Sequence, residues 1–196
     1  CGDVDRVLSA LEQGRQGRRG YFVEHLGGSQ FALPGAVDRL RSDAQTVARA
    51  GDGLPGAGSA SGSQPLVVVL AATDPANPYG AALAWPDPWL PAGQQPRHRP
   101  GRKAGALVVL VDGAPALYVE RGGRTTLTFT DDPAVLAAAA EALGDAVRQG
   151  RTGRLTIDTV DGVPVLGGAL HGTLATALVA AGFTPTPSGL RLRDRA

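Results

Sequence analysis

The chain has 196 residues, 43% of them hydrophobic, so it carries material for one large core or two small ones. Its net charge of +1 excludes a global basic field, the kind of charge excess that by itself draws a protein to nucleic acid. A single cysteine, Cys1, excludes an internal disulfide framework and a cysteine zinc site, and no apolar run is long enough to cross a bilayer.

The first element is a helix. Val4, Val7, Leu8 and Leu11 fall at the spacing of one helical face, and Gly14 is placed to cap its end. A basic stretch with Arg18, Arg19 and Tyr21 follows and leads into a short strand. Leu26-Gly27-Gly28 makes a turn, and Ser29 to Leu33 makes a second strand. Helix, basic turn and hairpin in this order are the closing elements of a winged-helix domain, although small α+β units of other kinds share them. Pro34-Gly35-Ala36 then opens a helix carrying Val37, Leu40 and Val47. These elements predict a winged-helix portion over residues 1–50.

Residues 51–65 are dense in Gly, Ser, Ala and Pro and lack the apolar side chains that would order them, which predicts a flexible linker. The rest, 66–196, reads as an antiparallel α+β module. Leu66 to Ala71 is a continuous apolar run, expected as a buried strand. Asp74 and Asn77 stand where Asx turns form. Arg97, His98, Arg99, Arg102 and Lys103 cluster in a Pro-rich loop, either as phosphate contacts or as a hydrated surface.

Residues 100–130 give the clearest signal. Leu107 to Val111 runs into Asp112-Gly113, Ala116 to Arg121 into Gly122-Gly123, and Arg124 to Thr130 follows: a three-strand meander with cations at its ends. Asp132-Pro133 is a helix start, Leu136, Ala140, Leu143 and Val147 its apolar face, and Gly150 its stop. Arg154 to Val160, Asp161-Gly162 and Val163 to Leu166 form a hairpin. Leu170, Leu174 and Leu178 stripe a helix ending at Gly182, and Gly189 to Arg193 closes as a half-buried strand. Six or seven strands with two helices predict a small barrel or strongly curled sheet.

Chemistry is thinly signalled. No phosphate-cradling Gly-rich motif with Lys exists, and Gly122-Gly123 lies between strands. His25, His98 and His171 are scattered, which argues against a metal site. Glu120, Asp158 and Asp194 are the carboxylates placed to activate a water beside nucleic acid, or, more simply, to pair with nearby arginines. Arg18, Arg19, Arg102, Lys103, Arg121 and Arg124 are the best phosphate contacts, with Tyr21 as a base-stacking group or a packed wing aromatic. The chain holds no Met and opens inside a helical pattern, which predicts a piece of a longer, cytoplasmic protein.

Six blocks, taken together and in order, resemble the carboxy-terminal region of the large helicase-related (Lhr) family: residues 18–24, 30–32, 34–41, 72–80, 102–106 and 118–124. The resemblance implies a parent that is a superfamily 2, ATP-dependent DNA-repair helicase, with its ATP and Mg sites in a motor upstream. It implies a final winged helix ending near Arg41 and a β-barrel-like module beginning near Leu66. It also implies a likeness to bacterial DNA glycosylases and an association with oligomers. No cofactor is expected in this region. The expected partners are DNA, single-stranded or as an RNA:DNA hybrid, the upstream domains, and a second copy of the chain, with no membrane. Three functions follow: nucleic-acid binding and assembly for the helicase, a glycosylase-like hydrolase acting on a damaged or uracil base, or a purely structural oligomerisation module.

Overall fold

A computed structural model describes residues 2–22, 27–50, 65–90, 98–166 and 172–192. It divides into two compact units, Cys1–Ser63 and Gln64–Ala196. The expected linker falls almost entirely outside the described residues, as do His25, Leu170, His171 and Asp194.

The first unit contains α1 (Gly2–Gln13), the hairpin β1 (Arg18–Gly20) and β2 (Gln30–Ala32), and α2 (Ala36–Ala50). The end of α1 differs from the sequence expectation. Arg15, not Gly14, adopts the left-handed conformation, with φ 57°. Gln16 N–H donates to the Leu11 carbonyl (2.8 Å) and Arg15 N–H to that of Glu12 (3.0 Å), the paired bonds of a Schellman cap. A glycine one residue early does not help, because this motif needs the left-handed residue at a fixed offset from the last helical carbonyls. The hairpin pairs Arg18 with Ala32, Arg19 with Phe31 and Gly20 with Gln30.

The second unit is a two-layer α+β structure. Its six-stranded sheet runs in the order β3 (Val67–Ala71), β4 (Leu107–Val111), β5 (Ala114–Val119), β6 (Thr125–Thr128), β8 (Thr159–Val160), β9 (Val163–Pro164). A three-stranded sheet joins β10 (Phe183–Thr186), β11 (Gly189–Leu192) and β7 (Thr156–Ile157). Both helices, α3 (Pro133–Arg148) and α4 (Thr173–Ala180), contribute to the main core.

The turns follow from their residues. Asp112 and Gly113 both have positive φ (49° and 84°), as do Asp161 and Gly162 (52° and 81°), the backbone of primed hairpin turns. Each aspartate also ties its turn to another strand region. The Asp112 carboxylate accepts from Leu66 N–H (2.9 Å), and that of Asp161 accepts from Thr128 N–H (2.9 Å) and its hydroxyl (2.7 Å). Asp132 caps α3 by accepting from Ala134 N–H at 2.8 Å. Gly150, with φ 68°, ends the helix through bonds from Gly150 and Arg151 to the carbonyls of Val147 and Ala146.

The meander is buried on both faces, as its alternation requires. Val109, Leu117 and Val119 pack in the main core with Leu136, Leu143 and Leu178, each such burial contributing about 1.5–3 kcal/mol. On the other face Tyr118 and Leu127 meet Trp85 and Phe129. Trp85 is the hub there, with Tyr79, Tyr118 and Phe129 ring centroids at 5.6, 5.5 and 6.2 Å.

Several expectations need correcting. The 66–71 run is not a buried strand: β3 ends the sheet, with Leu66 68% exposed. Arg154 to Val160 is not one strand. It breaks at Asp158, giving β7 to one sheet and β8, parallel to β6, to the other. The third meander strand is shorter than expected, and Glu120 lies beyond the end of β5, opening a 3-10 turn at Arg121–Gly123. β10 was not anticipated, because Pro185 removes a ladder donor and its neighbours show no apolar alternation. There are nine strands in this unit among the described residues, against six or seven expected. They form no closed barrel among the described residues: β3 and β9 end one sheet, β10 and β7 the other. One close approach holds the small sheet together, since a Cβ at Gly189 would overlap the carbonyl of Ile157.

Candidate nucleic-acid interface

The wing of the first unit is built by three local contacts. The Phe22 N–H donates to the Gln30 side-chain carbonyl (2.7 Å), which extends the hairpin past β1. The Phe22 ring folds back over Gly20, where a Cβ would stand 3.0 Å from it. Its neighbour Tyr21 is thereby turned out and is 90% exposed. Arg19 lies across from Phe31, its guanidinium 5.5 Å from the ring centroid, and donates to the Ser29 hydroxyl. Arg18, on the opposite face of the strand, is exposed and has no side-chain partner among the described residues. So the wing presents one guanidinium without a side-chain partner among the described residues, one guanidinium over an aromatic ring, and one solvent-facing tyrosine.

In the second unit the expected cations separate into two kinds. Arg102 donates to the carbonyls of Asn77 (2.8 Å), Thr73 (2.9 Å) and Asp74 (3.1 Å). It clamps the double Asx turn in which Asp74 accepts from Ala76 N–H and Asn77 from Tyr79 N–H. Such charge-assisted bonds to carbonyls are among the stronger neutral-partner bonds, so Arg102 is scaffold. Lys103 pairs with Glu120 at 2.8 Å. That hydrogen bond holds the Lys103 ammonium above its ordinary range. Arg121 and Arg124 flank the Gly122-Gly123 turn, exposed and without side-chain partners among the described residues.

The carboxylates are placed as follows. Glu120 is half-buried and engaged by Lys103. Asp158 is exposed at the break between β7 and β8, and the next residue, Thr159, donates its N–H to the Arg124 carbonyl (2.9 Å). Glu120 N–H in turn donates to the carbonyl of Thr125 (2.8 Å), so Glu120, Arg124 and Asp158 sit on adjacent segments at one end of the sheet. Asp194 lies outside the described residues. Asp161, which sequence reasoning treated only as a turn former, is the carboxylate that burial pushes above its ordinary value, with the Thr128 bonds opposing that rise. No group of three metal-ligating side chains is gathered among the described residues.

The fold thus defines a winged-helix unit and an α+β unit in one chain. Comparison with known proteins gives the family. Residues 2–51 match the family described as "Large helicase-related protein, winged-helix domain". The chain is 47% identical over 191 residues to a Mycolicibacterium smegmatis protein named "Lhr helicase/ probable uracil glycosylase", covering 96% of this chain and 12% of that protein. It is 35% identical over 188 residues to the Escherichia coli "Lhr helicase/uracil glycosylase", covering 95% of this chain and 11% of that one. The chain belongs to the Lhr family, as a small part from the carboxy-terminal region of such a protein.

Proposed function

We propose that this chain is a non-motor region of an ATP-dependent DNA-repair helicase and that it binds nucleic acid. The observation that carries the reading is the wing: within a winged-helix unit of an Lhr protein, Arg18 has no side-chain partner among the described residues and Tyr21 is 90% exposed. Solvated guanidinium groups release counterions from a phosphate backbone, and an exposed ring offers a stacking face. Arg19 supports the wing contact. Arg121 and Arg124, exposed and without side-chain partners among the described residues, add cations from the second unit. Arg102 and Lys103 are left out of the contact set, because carbonyls and Glu120 already hold them. ATP and Mg belong to the motor of the parent, not to this region. The reading predicts that the full chain binds a labelled oligonucleotide with an affinity that falls steeply with salt. Absence of binding at low salt contradicts it.

The names of both relatives favour a second reading, a hydrolase module that releases uracil from DNA. Asp158, Glu120 or Asp194 would then activate the attacking water. That reading requires abasic-site formation on uracil-containing DNA, abolished by Asp158→Asn, Glu120→Gln or Asp194→Asn. For assembly into homo-oligomers, the supporting feature is the apolar edge strand β3, with Leu66 and Val68 exposed. Its mark is a mass that rises with concentration.

A further inference from the structure

A cleft of about 630 Å³ opens in the first unit where the end of α1, the start of β1 and the β2–α2 connection meet. Arg15, Arg18 and Arg19 line it, together with Glu12, Gly35 and Asp38. Arg15 was not among the residues singled out from sequence. It has no side-chain partner among the described residues, and it sits in a left-handed conformation (φ 57°) where glycine is the usual occupant. A non-glycine residue held there costs roughly 1 kcal/mol of backbone strain. Of the two carboxylates, Asp38 is engaged by Arg41 at 3.5 Å, which leaves Glu12 to set against three guanidinium groups.

The adjoining helix has the opposite character. α1 exposes Asp3, Asp5 and Glu12 against a single cation, Arg6, and Arg6 lies 4.0 Å from Asp3. A helix so charged is repelled by phosphates and is unsuited to lie in the major groove of a duplex. What remains is a basic cleft at the start of β1 and, directly after that strand, a solvent-facing aromatic ring. This is the combination that binds single strands: cations track the backbone while an unstacked base lies on the ring.

Resting on the nucleic-acid reading above, we propose that Arg15 and Arg18 form a phosphate site for a single nucleic-acid strand, with Tyr21 stacking one of its bases, and that α1 does not read a duplex. The phosphodiester sits in the cleft at the α1–β1 junction, and the strand runs out along the wing.

The test uses the full chain, a labelled oligothymidylate, and a duplex of equal length, titrated by anisotropy at several salt concentrations. Arg15→Gly is the informative variant, because glycine relieves the left-handed position while removing the charge. Its melting temperature stays at or above the parent's, and the slope of log K against log salt becomes shallower by about 0.7 on the single strand. Tyr21→Ala weakens single-strand binding roughly 5- to 150-fold. The parent binds the single strand more tightly than the duplex. An unchanged slope in Arg15→Gly, or tighter binding to the duplex, overturns this site while leaving nucleic-acid binding intact. No binding by the parent at low salt overturns both.

Discussion

Arginines beside the cleft of the first unit and those that hold loop ends in the second are used in opposite ways. In the first, Arg15 and Arg18 line an open cleft and have no side-chain partner among the described residues. In the second, Arg102 gives its donors to three carbonyls from a turn 25 to 29 residues away, and Arg148 bonds the Ala181 carbonyl (3.0 Å) and Asp145 (2.7 Å). The difference is supply. The Thr73–Tyr79 loop and the end of α4 leave carbonyls that Arg102 and Arg148 bond, and a guanidinium is the side chain best shaped to gather several of them. The wing pairs its strands across a short hairpin, and among the described residues the Arg18 side chain finds no such carbonyl there.

That contrast breaks first at Arg102. Arg102→Ala removes three bonds at once and costs about 3 kcal/mol, read as a lower urea midpoint of the full chain, with oligonucleotide affinity unchanged. Loss of affinity without loss of stability would reverse the assignment of scaffold and contact.

Asp161 gives a smaller effect with a pH signature. Burial raises its folded carboxyl above the ordinary 3.8, so the folded chain holds that proton more tightly than the unfolded chain. Its ionisation therefore lowers stability as pH rises from 3.8 through the folded value, and acidification through that window returns the stability. Asp161→Asn keeps an acceptor for Thr128 N–H and removes the titration. At pH 7 the two proteins differ by less than about 1 kcal/mol, and wild type gains on the variant as pH falls toward about 4. Parallel midpoints across that range would refute the account of Asp161. The smallest stability change belongs to the wing: Arg18→Gln changes the unfolding free energy from urea melts by less than about 0.5 kcal/mol, because the side chain has no partner among the described residues.

Local chemistry made much of the fold legible. Asp112-Gly113, Asp161-Gly162 and Asp132-Pro133 each act through their own φ or their own side chain, so the dipeptide alone signals the turn or cap. The meander was readable because alternation assigns Leu117 and Tyr118 to opposite cores. What stayed hidden depends on partners distant in sequence. β10 is a strand because β11 pairs with it despite Pro185. β3 is an edge because no strand among the described residues adds beyond it in the sheet order. Arg102 and Arg18 look alike in a sequence, and only the carbonyls brought to Arg102 by the fold tell them apart. Arg15 was masked by Gly14, the more obvious cap one residue earlier.

The central claim is that the wing cations meet phosphate and those of the second unit's Pro-rich loop do not. The most direct measurement compares the salt dependence of oligothymidylate binding for the full chain, Arg18→Gln and Lys103→Gln. The account predicts that Arg18→Gln makes the log–log slope shallower by about 0.7 and that Lys103→Gln leaves it unchanged. A shallower slope for Lys103→Gln with none for Arg18→Gln would contradict it.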